Sequence, residues 1–276
     1  MAVRVVITGA MGRMGSALVR AVDASEDFEL YGATEKHDHP DLAKDVGRLL
    51  LGKNLGIHLE NDLRNVIVAS DVIIDFTWPD ASLSHLEAAV DKGKAIVIGS
   101  TGFDPEQMDR MTDLAPRTRA LIAPNMGAGV NLLFALAGAA ARVLGNEYDA
   151  EIVEAHHRNK IDAPSGTARE LARRIAAEWD ADAGEVSDYG RKGQTGEREY
   201  GRIGVHSVRG GDVVGEHTVV FAGPGERLEL THRASSRELF VRGALRAAHF
   251  LSKCTENGLY TMEDVLKLEK SLGGRR

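Results

Sequence analysis

Between Glu154 and Ala168 the chain reads EAHHRNKIDAPSGTA. The imidazoles of His156 and His157, the guanidinium of Arg158 and the ammonium of Lys160 stand within five residues of one another. An imidazole titrates near neutrality and can accept or deliver a proton. A lysine adds a fixed positive charge and a second donor. Pro164 ends the extended segment, and Ser165, Gly166 and Thr167 open a helix, with Ser or Thr as its cap and Glu170 three residues beyond Thr167. A helix start that contains glycine turns backbone N–H groups toward an anion. Cations beside such a start make a carboxylate-binding site with proton donors in it. If the preceding strand runs on into the motif, His156 and His157 point to opposite sides. One could then meet a substrate's ring and the other its carboxylate, or one could be buried. A plainer reading, in which these are surface cations before an ordinary helix cap, stays open on composition alone. Zinc is disfavoured, because no third ligand lies at a usual spacing and Lys160 opposes a cation.

A second chemical signal opens the chain. VVITGAMGRMGSALV places Gly9, Gly12 and Gly15 between a β-branched run and a helical one. Glycines at a strand-to-helix turn let backbone approach a pyrophosphate, which then meets the helix N-terminus. The spacing G-x-x-G-x-x-G is weak by itself and gains from its position at the start of a βαβ unit. Glu35 follows Gly15 by twenty residues, where a carboxylate can bind ribose hydroxyls, and Lys36 beside it can pair with a 2′-phosphate. Together they suit both NADH and NADPH. The turns IGSTGF, with Gly99–Gly102, and IAPNMGAG, with Ala123–Gly127, end two further strands, and DFTWP at Asp75–Pro79 is similar. Ligands of open α/β sheets sit outside the carboxyl ends of strands.

The elements that must hold these groups show in the periodicity. Apolar runs at Val3–Thr8, Phe28–Ala33, Val72–Phe76, Ala95–Ile98 and Arg119–Ile122 alternate with helical spacing after Gly15, near Ser82–Lys92 and after Pro105. That alternation predicts a parallel sheet covered on both faces. His37–Gly56 reads as a surface loop with room for a short helix. Beyond residue 127 the pattern changes to a helix at Val130–Leu144, a strand at Asp149–Glu154, the histidine motif and a helix at Thr167–Trp179. Asp180–Gly201 reads as a long polar loop. Strand-like runs at Ile203–Arg209, Val213–Phe221 and Arg227–Ala234, with RGGD and AGPGE as hairpin turns, predict an antiparallel or mixed sheet. Helices follow at Ser236–Lys253 and Thr261–Leu272.

The chain has 276 residues, 43% hydrophobic and 27% charged, a size that suits two modest domains. A net charge of -7 argues against nucleic acid and anionic membranes as partners. The single Cys254 rules out an internal disulfide framework and fits a reducing cytoplasm. The N-terminus shows no secretory pattern. The most apolar stretch, Leu132–Leu144, is shorter than the ~20 residues a bilayer span needs.

Taken together, GAMGRMG, GSTG, APNMGAGVN, EAHHRNKIDAPSGTA and THRASSR (Thr231–Arg237) resemble the dihydrodipicolinate reductases of bacterial lysine and diaminopimelate biosynthesis, in order and over nearly the whole chain. The histidine motif is the specific part; the glycine turn is not. The resemblance implies an α/β protein. A Rossmann-like parallel-sheet domain would span 1–127 and 237–276, and an α+β substrate and tetramerisation domain with a mixed sheet would span 128–236. It implies an NADH- or NADPH-dependent oxidoreductase, a cytoplasmic homotetramer, that reduces 4-hydroxy-tetrahydrodipicolinate or dihydrodipicolinate. His156 would be proton donor or acceptor and Lys160 the second donor. His157, Gly166 and Thr167, with Ser165, would bind the substrate's carboxylates. Gly9, Ala10, Met11, Gly12, Arg13, Met14, Glu35, Lys36, Gly99, Ser100, Thr101, Ala123, Pro124, Asn125 and Met126 would line the cofactor. Lys36 stands where Arg is frequent, and Ser100 and Met126 where Thr and Phe are frequent. A related reductase of another small imine or keto acid, and a ligand-binding protein that has lost catalysis, are the competing readings. The presence of both His156 and Lys160 speaks against the second.

Overall fold

The computed structural model describes residues 1–268. The chain runs β1 (Val3–Thr8), α1 (Arg13–Asp23), β2 (Phe28–Thr34), α2 (Val46–Leu50), β3 (Leu59–Glu60), β4 (Val72–Asp75), α3 (Pro79–Lys92), β5 (Ala95–Ile98), α4 (Pro105–Leu114) and β6 (Arg119–Ile122). It continues with α5 (Ala128–Leu144), β7 (Asp149–His156), α6 (Gly166–Glu178), α7 (Ala183–Val186), β8 (Ser187–Tyr189), β9 (Ile203–Arg209), β10 (Gly215–Gly223) and β11 (Glu226–Ala234). Last come α8 (Glu238–Lys253), β12 (Gly258–Tyr260) and α9 (Met262–Leu266). Two compact units result, Met1–Met126 with Glu238–Leu266, and Gly127–Arg237 with Lys267 and Leu268.

In the first unit seven strands form one sheet in the order β12-β6-β5-β4-β1-β2-β3, every pair parallel. Successive residues of a strand face opposite sides, so a continuous apolar strand feeds two cores. Ile74 and Val97 face one side and pack with Leu18 and Val22 of α1 and Ala244, Ala248 and Leu251 of α8. Ile73 and Ile96 face the other and pack with Leu83 and Leu86 of α3 and with Met111 of α4. Two short strands, β3 and β12, are absent from the sequence pattern. Two or three residues carry no readable period, and β12 pairs with β6 only because α8 returns the chain to this sheet. The expected loop at 37–56 is anchored by Asp45, whose buried carboxylate caps α2 through the Arg48 N–H and also accepts from Leu55 and Gly56. Of the helix expected at Thr261–Leu272, Met262–Leu266 is observed, and its part from residue 269 onward lies outside the described residues.

In the second unit the five-stranded sheet runs β11-β10-β7-β9-β8 and is mixed: β7 pairs antiparallel with β10 and parallel with β9. One face, with Ala150, Ile152, Val205, Val219 and Phe221, is covered by Leu133 and Phe134 of α5 and by Leu171 and Ile175 of α6. Three expectations are corrected here. RGGD is not a hairpin, because β7 lies between β9 and β10; the turn instead spans the end of β7, with Gly210 N–H donating to His156 O and Arg158 N–H to Gly211 O. The Asp180–Gly201 loop contains α7 and the edge strand β8, too short to be legible. Its remainder is held to β7 by Arg191 and Arg198, which donate to Glu151, while Arg198 also reaches Asp149. Ser165 caps α6, accepting from Ala168 N–H at 3.2 Å, and Glu170 pairs with Arg173 and Arg174 instead of completing a capping box.

Candidate active site

In the first unit the chain leaves β1 for β2 on one side and, later, for β4 on the other, so the strand order reverses at β1. Such a reversal opens a crevice outside the carboxyl ends of the two strands. Gly9–Met14 form the turn there. Gly9 adopts φ +61°, a left-handed conformation that favours glycine. A Cβ on Gly15 would stand 2.0 Å from Gly9 O, and one on Gly12 3.1 Å from the same oxygen. The turn is therefore closed on its own backbone. Gly12 caps α1 with no side-chain hydrogen bond, which leaves this helix start with backbone donors alone.

Glu35, just past β2, accepts from Met11 N–H at 3.1 Å and from Lys36 N–H at 3.1 Å, so it ties the glycine turn to the second strand. Lys36 reaches Asp38 at 3.2 Å in an exposed pair. Gly99, Ser100 and Thr101 follow β5, and Ala123, Pro124, Asn125 and Met126 follow β6, on the same sheet edge as the glycine turn. Those turns are braced from beneath. Buried Asp75, ending β4, accepts from Thr77 N–H, Thr77 Oγ1 and His85 Nδ1, while Ser82 Oγ donates to Ser100 Oγ at 2.7 Å. Gly99 lacks a side chain where the Phe76 ring lies, and Gly243 of α8 lacks one where Met126 O lies.

In the second unit the covered face of the sheet changes character along its length. Apolar side chains fill one end. At the other, Glu154 and His156 of β7 share a face by their i, i+2 spacing. Register sets His217 of β10 opposite Glu154, Arg209 of β9 opposite His156, and His232 of β11 opposite His217. Glu154 has no exposed surface. It accepts from His156 Nδ1 at 2.6 Å, from both Arg209 Nη atoms at 2.8 and 2.7 Å, and from Ser165 N–H at 3.1 Å. The His156 and His217 rings meet edge to face at 5.1 Å, and His217 Nε2 lies 3.0 Å from Ser165 Oγ. His157 stands just past the strand, and Gly166 and Thr167 are the first residues of α6. Lys160 closes a turn onto His157 O and lays its ammonium on Asp162 at 2.8 Å. Arg209 also donates to Asp162 O, which ties that loop to the sheet. Helices α5 and α6 both begin at this end, since the His232 ring lies against Gly129 near the start of α5. Two helix N-termini add positive potential to that of Lys160 and Arg209. No group of three or more His, Cys, Asp or Glu side chains suited to a metal ion occurs among the described residues.

The charge states follow from the contacts. Burial would raise the Glu154 carboxyl, but Arg209, Ser207, His156 and the Ser165 amide outweigh it and hold it at about 2. Burial lowers His156 below its ordinary value; Glu154 opposes this, and Lys160 and Arg209 add to it. Burial, then His156, pushes His217 down to about 3, so that ring is neutral in the fold. Acidification therefore destabilises this unit in two steps of the same sign. Below the ordinary histidine value of 6.5 the unfolded chain protonates His217 while the fold does not, and this loss continues down to about 3. The Glu154 contribution is complete above 4.5 and is lost as pH falls through about 2. Replacing His217 with Gln should flatten the decline of stability between pH 6 and 4 in urea titrations; an unchanged slope would show that this ring does not set it.

Sequence reasoning singled out His156, His157, Lys160 and Ser165–Thr167, but did not assign Glu154, Arg209 or His217 a part. Glu154 lay within the quoted motif, and its i, i+2 spacing to His156 was the available signal. Arg209 and His217 arrive from distant strands through register, which no local pattern carries. In the first unit the same holds for His85 beneath Asp75.

Residues 3–126 match the family model described as dihydrodipicolinate reductase, N-terminus, and residues 129–266 the one described as dihydrodipicolinate reductase, C-terminus. The 4-hydroxy-tetrahydrodipicolinate reductase of Anaeromyxobacter sp. (strain Fw109-5) is 50% identical over 269 residues, covering 98% of this chain and 99% of that protein. The protein of the same name from Syntrophus aciditrophicus (strain SB) is 46% identical over 263 residues, covering 95% and 98%. The solved structure of dipicolinate-bound dihydrodipicolinate reductase from Paenisporosarcina sp. TG-14 superposes with a TM-score of 0.75 at 29% identity, covering 95% of this chain and 98% of that one.

Proposed function

The chain belongs to the dihydrodipicolinate reductase family, and from that premise we infer that it reduces 4-hydroxy-tetrahydrodipicolinate or dihydrodipicolinate to tetrahydrodipicolinate, with a nicotinamide cofactor, in lysine and diaminopimelate biosynthesis. The observation that carries the reading is the polar end of the second sheet. There an ionised, buried Glu154, a neutral His156 and a charged Lys160 stand beside the start of α6.

Residues 1–127 with 237–276 form the cofactor domain in this reading, and 128–236 the substrate and oligomerisation domain. The crowding leaves no room for a side chain at Gly15 and little at Gly12, and the uncapped start of α1 suits a pyrophosphate. Gly9, Ala10, Met11, Gly12, Arg13 and Met14 hold that group, with Gly99–Thr101 and Ala123–Met126 along the same edge. Glu35 addresses the ribose, and Lys36 can leave its exposed partner Asp38 for a 2′-phosphate. The site therefore takes NADH or NADPH. When bound, the reduced nicotinamide supplies the hydride.

The rest is work for this chain's side chains. The substrate is a ring with two carboxylates. The N–H groups of Gly166 and Thr167 at the α6 start, with Ser165 and His157, hold them. Reduction of the conjugated C=C–C=N system adds one hydride and one proton, and His156 and Lys160 handle the proton. Holding the dianion among pre-oriented donors supplies much of the barrier reduction. A steady-state assay with the product of the preceding synthase and each cofactor in turn tests the assignment. Turnover is expected with that product. Turnover of a pyrroline carboxylate in its place would replace the substrate.

We also propose that the chain is a cytoplasmic homotetramer. No described helix is long and apolar enough to cross a membrane. The support for assembly is the second face of the mixed sheet, opposite α5 and α6, where Val153 and Val208 are 39% and 51% exposed among alternating polar side chains. A sheet face with exposed valines is ready-made for another copy. Val153→Glu with Val208→Glu should convert the tetramer to smaller species in sedimentation velocity, and an unchanged sedimentation coefficient would place the interface elsewhere.

A further inference from the structure

Glu154 is fully buried, and every contact to its carboxylate comes from a group that must donate. Arg209 and the Ser165 amide can do nothing else. An ionised carboxylate only accepts, so the Ser207 hydroxyl donates to it as well, and His156 Nδ1, at 2.6 Å, carries the hydrogen. The geometry thus chooses a tautomer. The ring is held from its other sides as well: the His217 imidazole packs against it edge to face at 5.1 Å, and Gly215 leaves it room, with Nε2 only 3.1 Å from where a Cβ would stand. Resting on the reductase reading above, we propose that Glu154 is the positioning residue of this site: its carboxylate locks His156 in the Nδ1–H tautomer, so that Nε2 offers a lone pair and His156 accepts while Lys160 donates.

Three further observations fit this division. The charged and titratable groups facing the ring are Glu154 on its own strand, Arg209 on β9, His217 on β10 and Lys160 on the adjoining loop. Their balance, with burial, lowers His156 and keeps it neutral near pH 7. A neutral ring has no second proton to give, whereas the lysine has. Moreover, Arg209 spans from Glu154 to Asp162 O, while Lys160 pairs with Asp162 Oδ1. The carboxylate that orients the imidazole therefore also anchors the loop bearing the ammonium. Through Ser165 N–H it anchors the start of α6 too. One buried charge sets the acceptor, the donor and the anion-binding turn.

The first test needs no substrate. In protein labelled with ¹⁵N-histidine, two-bond ¹H–¹⁵N correlation at pH 7.5, with His156→Gln used to assign the ring, should show His156 protonated at Nδ1 and unprotonated at Nε2. A ring found in the Nε2–H form, or doubly protonated, overturns the proposal whatever the enzyme turns over. Glu154→Gln should then populate the Nε2–H form and lower kcat by about 10²-fold with KM changed less than about threefold, at unaltered cofactor affinity. Glu154→Asp, which keeps the charge, should recover part of the loss. A Gln variant with wild-type kcat, or one that loses only KM, assigns Glu154 a merely structural role. Absence of turnover with the synthase product in the wild type would remove the substrate assignment and leave the tautomer result standing, so the two can fail separately.

Discussion

Replacing Lys160 with Ala lowers kcat by about 10²- to 10⁴-fold, the range usual for loss of a positioned proton donor, and leaves the dissociation constants for NADH and NADPH within about twofold. The Lys160 side chain is only 21% exposed and its ammonium lies on Asp162, so it is held in place by the chain's own contacts. Its removal leaves a half-exposed carboxylate that water can satisfy, and the fold should survive. KM for the dicarboxylate should rise as well, since one of the cations facing it is gone. Steady-state kinetics and fluorescence titration of each cofactor separate the effects. Equal losses in turnover and in cofactor affinity would mean that Lys160 is not the donor.

The second large effect belongs to the glycine turn. Gly15→Ala should weaken cofactor binding by about 10²-fold or more and destabilise its unit by about 1–3 kcal/mol, the usual cost of forcing an atom into a filled space. The new methyl would stand 2.0 Å from Gly9 O and 2.7 Å from Ala10 Cα, and both are backbone that cannot rotate away. The loop must move, and the loop is the part that meets the pyrophosphate. Gly12→Ala provides an internal scale. Its Cβ would stand 3.1 Å from the same Gly9 oxygen, so a shift of a few tenths of an ångström relieves it and the loss should be clearly smaller. Calorimetric titration of both variants checks the order. If Gly15→Ala bound the cofactor like the wild type, the β1–α1 turn would not be the phosphate site.

Much of this could be read from the residues in order. The runs at Val72–Asp75 and Ala95–Ile98 are apolar at every position or nearly so, which suits a strand buried on both faces and little else. Gly9, Gly12 and Gly15 mark a turn that must pack backbone on backbone. EAHHRNK before PSGT marks cations at a helix start. These are local signals, carried by neighbours in the chain. The hairpin expected at RGGD failed because turn chemistry says only that the chain bends there. It is the insertion of β7 between β9 and β10 that decides which strand it bends toward.

By itself, then, the sequence determined the alternation of elements, the places where glycine is obligatory and the family to which the chain belongs. Only the tertiary structure decided what the chemical groups are. His156 in the sequence is an imidazole that could give or take a proton. In the fold it lies on a buried Glu154 beside a neutral His217, with Arg209 brought 55 residues along the chain to complete the carboxylate's contacts. Protonation depends on burial and on charges a few ångströms away, and those distances are created by strand register, which a one-residue shift would reverse.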